Sequence, residues 1–152
     1  MRKVLLPVVL LLVSTSVFAQ SQFRGSVKFV CGKADAAHID PYAFSPGIYY
    51  TTINMTNPNA ITVQGTKRFS IGLPGQNVGK FTDLINWALK PSETMQIDCG
   101  DIYKRMQIAP GTFIDGFVHI IGTPSRFDVT AVYTVGDGTR PISIDVEAIT
   151  LR

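Results

Sequence analysis

Apolar and polar residues alternate in short runs along most of the chain, and Gly, Pro, Asn and Asp punctuate those runs. A period of two marks a half-buried strand, and the punctuation is that of turns. Ser26 to Cys31 places Val27, Phe29 and Cys31 on one face and Lys28 on the other. Ile48 to Met55 is rich in Tyr, Thr and Ile and ends at Asn57-Pro58-Asn59, where proline withdraws a ladder donor. Ile61 to Leu73 reads as one broken strand or two, closed by Pro74-Gly75. Thr94 to Cys99 sets Met95, Ile97 and Cys99 together, and Asp98 to Met106 fits a single helical turn. Phe113 to Ile121, Phe127 to Val135 and Ile142 to Ile149 are the clearest strands. In the last, Ile142, Ile144, Val146 and Ala148 oppose Ser143, Asp145 and Glu147. A parallel sheet needs long crossover helices, and none is written here. The pattern therefore predicts an all-β fold, a single antiparallel β-sandwich of about seven to eight strands.

The amino terminus follows a different pattern. Arg2 and Lys3 precede an apolar run from Val4 to Val13, and Ser14 to Ser16 lead into Val17-Phe18-Ala19. This is the layout of a cleaved bacterial export signal over residues 1–19, leaving one domain over residues 20–152. The run is shorter than the ~20 residues that span a bilayer, so no stable membrane insertion is expected after cleavage. Localisation should be periplasmic or extracellular.

Export changes the charge picture. The chain has 14 Lys+Arg against 11 Asp+Glu; without Arg2 and Lys3 the balance is 12 minus 11, or +1. Lys67-Arg68 and Lys104-Arg105 are isolated pairs, and nucleic-acid binding needs a clustered basic face. No nucleic-acid partner is expected.

Cys31 and Cys99 are the only cysteines, each in phase with the apolar face of its strand. In an oxidising compartment an even count points to a disulfide. Closing a loop of about 69 residues would stabilise by ~4 kcal/mol in the chain-entropy model. Two buried thiols that never meet are the alternative.

Candidate chemistry is sparse. Gly75 to Lys80 reads GQNVGK, but a phosphate-binding loop needs one more residue between its glycines and a hydroxyl where Phe81 stands. A glycine-rich strand connection explains it better. His119 shares a face with Asp115 and Phe117, but Asp115 lies about 13 Å away along the strand. A hydrolase would therefore need acids from neighbouring strands, such as Asp128 or Asp145, around His119; a partly buried structural histidine is the plainer reading. Asp35, His38 and Asp40, in the Lys33–Pro46 segment that lacks strand character, could hold a divalent ion, although solvated acidic loops are common. No cofactor is indicated. Tyr42, Phe44, Tyr49 and Tyr50, with Trp87 further on, could form an aromatic platform for a sugar or a protein, or could pack into the core.

Several phrases recur together: Tyr49-Tyr50-Thr51-Thr52-Ile53-Asn54 before Asn57-Pro58, Leu73-Pro74-Gly75, Leu89-Lys90-Pro91, Ile97-Asp98-Cys99-Gly100-Asp101-Ile102, Phe113-Ile114-Asp115-Gly116-Phe117-Val118, and Asp128-Val129-Thr130-Ala131-Val132-Tyr133-Thr134. Their order over residues 48–149 resembles a group of small exported bacterial proteins of uncharacterised function with an immunoglobulin-like β-sandwich. The resemblance implies that fold and no activity, since sandwiches host many functions. The expected role is non-catalytic: binding or assembly with itself, with another envelope protein or with a glycan, through exposed sheet edges.

Overall fold

The computed structural model describes residues 22–35, 44–73, 77–122 and 126–149. Among these residues nine antiparallel strands and one short helix follow in the order β1 (Phe23–Ala34), β2 (Gly47–Thr56), β3 (Val63–Gly72), β4 (Val78–Phe81), β5 (Ile85–Leu89), β6 (Thr94–Asp98), α1 (Cys99–Met106), β7 (Ile114–Gly122), β8 (Asp128–Gly136) and β9 (Pro141–Ile149). The all-β expectation holds, but seven or eight strands is an undercount. Ile61 to Leu73 yields only β3, while β4 and β5 are too short for alternation to announce them. The GQNVGK stretch runs into β4, whose Lys80 donates to the Met106 carbonyl at the end of α1.

The sheet path runs β4-β3-β7-β1-β2-β8-β9, with β5 also on β3 and β6 also on β2. β1 joins its two halves: residues 23–31 pair with β7, and residues 32–34 pair with β2. The switch falls at Gly32, whose φ of +94° suits a residue without Cβ. A Cβ there would stand 2.2 Å from the Thr112 carbonyl oxygen. Where β1 leaves β2, its Val30 N–H donates to Thr51 Oγ1 at 3.0 Å, and the Thr51 hydroxyl donates back to the Val30 carbonyl at 2.9 Å. A buried side chain thus satisfies backbone groups that lack a strand partner, as burial demands.

The core draws on both halves. Phe29, Phe69 and Ile120 meet Ile53, Met55 and Ile97, and Ile102 and Met106 of α1 close one end. Helix α1 is two turns rather than one. Asp98 caps it, accepting from the Asp101 N–H at 3.0 Å while Asp101 accepts from the Asp98 N–H at 3.4 Å. The Cys31–Cys99 disulfide is formed, tying β1 to the start of α1. Residues 1–19 lie outside the described residues, and no helix among the latter is long and apolar enough to cross a membrane.

Candidate functional site

The strand with the cleanest alternation is also the least buried. From Ser143 to Ala148 every residue of β9 is exposed, on both faces. β9 pairs with β8 alone, so its other edge offers unpaired N–H and C=O groups among the described residues. The register explains the exposure. Asp145 and Glu147 stand opposite Tyr133 and Ala131, on the side where β8 buries Val129 and Ala131. Ile144 and Val146 stand opposite Thr134 and Val132 on the outer face, 62 % and 61 % exposed. The inward row is therefore acidic and the outward row apolar, the reverse of an ordinary edge strand. Tyr50 and Ile48 of β2 extend the apolar row, because Tyr50 pairs with Thr134, which pairs with Ile144.

A cavity of about 320 Å³ opens beside the acidic row, lined among others by Lys28, Tyr49, Tyr133, Asp145 and Glu147. The Tyr133 hydroxyl lies 3.1 Å from the Lys28 carbonyl and 3.0 Å from Glu147 Oε2, sharing one proton between two acceptors. Burial, then the bond to Glu147 and the charges of Glu147 and Asp145, push its pKa well above the usual phenol range. Lys28 pairs with Asp115 at 3.0 Å and sits near the Phe44 and Phe117 rings.

The aromatic candidates separate. Phe44, Tyr49 and Phe113 form a mutual edge-to-face cluster with centroids 5.1–5.8 Å apart, and the Tyr49 hydroxyl donates to the Ser45 carbonyl. Tyr50 points to the opposite face, as adjacent strand residues must. Burial raises its pKa, and a hydrogen bond to Asp98 adds to the rise. Tyr42 lies outside the described residues. Trp87 is not an exposed platform: its ring is buried against Phe127, centroids 4.9 Å apart. Of the metal candidates, His38 and Asp40 lie outside the described residues; Asp35 is at the end of β1.

His119 has hydroxyl partners rather than acids. Its Nδ1 lies 2.8 Å from Ser26 Oγ and its Nε2 2.8 Å from Ser70 Oγ. Asp128 and Asp145 belong to β8 and β9, in the other half of the sheet path, and Asp115 is held by Lys28. A neutral imidazole between two hydroxyls donates to one and accepts from the other, so its tautomer is set by serines. Burial, and then the Arg68 guanidinium, lower its pKa. Alternation placed His119 on the right face, but nothing in the sequence pairs Ser26 or Ser70 with it, because they lie 93 and 49 positions away.

The fold is similar to one solved in the crystal structure of Thermotoga maritima 1070, with a TM-score of 0.50 and 5 % identity over 85 % of this chain and 91 % of that one. At that identity the likeness concerns the fold alone. No family model matches the chain, and no curated protein matches it.

Proposed function

We propose that this chain is an exported, non-catalytic binding module with an immunoglobulin-like β-sandwich fold, working in the periplasm or outside the cell. The observation that carries this reading is β9, a strand that among the described residues is open along one edge and exposed on both faces. Unpaired edges invite strand addition, in which main-chain bonds supply affinity and alternate side chains supply selectivity. The formed disulfide supports an oxidising compartment, and the two halves facing one core support the sandwich.

Charge narrows the occupant. If β9 paired antiparallel with a second copy about Val146, Asp145 would stand opposite Glu147 of that copy, and like charges directly opposed destabilise a ladder. A foreign segment alternating Lys or Arg with aliphatic residues would instead meet the acidic row with its cations and Ile144 and Val146 with its apolar side. A photo-crosslinking residue at Val146, compared in living cells with one at exposed Asn86, tests this. A discrete adduct from position 146 alone is expected, of a mass other than twice this chain. No adduct, or the same adduct from both positions, overturns the reading; a doubled mass makes the partner a second copy.

A further inference from the structure

We propose that the outer face of the β3–β7–β1 half carries a second site, independent of β9, in which Arg24, Ser26 and Arg68 receive a tetrahedral oxyanion, a phosphate or sulfate group, and His119 orients the serine hydroxyl behind them. Three adjacent strands bring these residues together. Ser26 of β1 stands directly opposite His119 of β7, and His119 directly opposite Arg68 of β3, forming one row across the sheet. Cβ atoms of such cross-strand neighbours lie ~5 Å apart. Arg24, one step along β1 on the same face, stands opposite Ile121. Together they line an open cavity of about 470 Å³, with Leu84 and Ile121 as an apolar shoulder.

The charge on this face is not balanced. Among the described residues the one ion pair is Lys28–Asp115, and neither guanidinium has a carboxylate partner among them. Arg24 donates to Gln22 Oε1 at 3.2 Å, a neutral acceptor at the end of the described segment. Two guanidinium forks beside a hydroxyl match the several oxygens of a tetrahedral anion, since each fork can engage two of them. The shoulder of Leu84 and Ile121 suits the organic part of a phosphate or sulfate ester.

His119 adapts the site to its charge. In the neutral ring one nitrogen accepts a hydroxyl proton, which keeps that serine from donating outward. When the ring is protonated both nitrogens donate, to Ser26 and Ser70, and both hydroxyl protons are free to turn to an anion. The charged groups around the ring are Arg24 and Lys28 from β1, Arg68 from β3, and Asp115 further along β7. Lys28 and Asp115 offset one another, which leaves the two arginines uncompensated among the described residues, and the charge of Arg68 is the one that lowers the ring's pKa. An anion bound between them favours the imidazolium, and anion binding and protonation of His119 reinforce each other.

The test is the NMR titration of the His119 ring from pH 5 to 8, in chloride and in sulfate at equal ionic strength. Sulfate keeps its charge over this range. A saturable shift is expected, with a higher apparent pKa in sulfate. Arg68→Gln and Arg24→Gln should each weaken binding about tenfold or more, as loss of a charge-assisted hydrogen bond does, while Arg105→Gln on α1 should leave it unchanged. Thermal melts confirm that the variants are folded. A second arm uses phosphate, and a third acetate. No saturable shift, or a shift that persists equally in all three variants, overturns the site. Acetate binding as tightly as sulfate overturns its assignment to a tetrahedral anion.

Discussion

The indole of Trp87 is 6 % exposed, and its N–H has no hydrogen-bond partner among the described residues. A buried donor left unpaired costs about 1–3 kcal/mol, which offsets part of what the ring gains by packing on Phe127. Trp87→Phe should therefore change stability by no more than about 1 kcal/mol in urea unfolding, whereas Phe69→Ala should cost about 3–5 kcal/mol. His119 makes a prediction of a different kind. Burial and Arg68 hold its folded pKa below the 6.5 of the free side chain. As pH falls, the unfolded chain takes up that proton first, so the histidine's contribution to stability is complete above pH ~6.5. It is lost as pH falls from there through the folded pKa, and level below it. His119→Asn should flatten this limb in urea midpoints measured from pH 8 to 5. Arg68→Gln, by removing the second cause, should make it shallower.

Elements show the same physics over longer stretches. β9 alternates as cleanly as any strand of the core, yet its apolar residues face outward because β8 orients it. With Val129 and Ala131 of β8 already turned to the core, register puts Asp145 and Glu147 on that side. Ile144→Lys removes little buried area, the side chain being largely exposed, so it should shift stability by less than about 0.5 kcal/mol, and it should still abolish the crosslink expected from position 146. β1 is sensitive where β9 is tolerant. Gly32→Ala asks a Cβ to occupy the place of the Thr112 carbonyl at a positive φ. That substitution should cost at least ~2 kcal/mol in a chemical melt, since both conformation and packing oppose it.

For the whole molecule, the Cys31–Cys99 bridge spans 68 positions and links β1 to the first residue of α1. Closing a loop of that length stabilises by ~4 kcal/mol in the chain-entropy model. A Cys31→Ser, Cys99→Ser double variant should accordingly unfold at markedly lower denaturant, with the loss approaching that figure if the reduced unfolded chain is disordered. The reduced wild-type chain should behave in the same way. The two proposed surfaces lie on different halves of the sheet path, so Ile144→Lys should leave sulfate binding intact and Arg68→Gln should leave the β9 crosslink intact.

Much of this molecule was readable from residue order. Period-two alternation identified the long strands, the phase of Val27, Phe29 and Cys31, and the face of His119. Asn57-Pro58 marked the end of β2, and the in-phase cysteines pointed to their bridge. These are local properties, fixed by the geometry of a strand and by proline and glycine backbone limits. Alternation states which side chains share a face; it does not state which face meets the core. Only tertiary pairing decided that Ile144 and Val146 face outward, that Tyr49 meets Phe113, and that Trp87 is enclosed. The same holds for the row of Ser26, His119 and Arg68, whose members are distant in sequence and adjacent only because β1 and β3 flank β7. Neighbours across a sheet are chosen by the burial of the whole chain, and no window of sequence contains that choice.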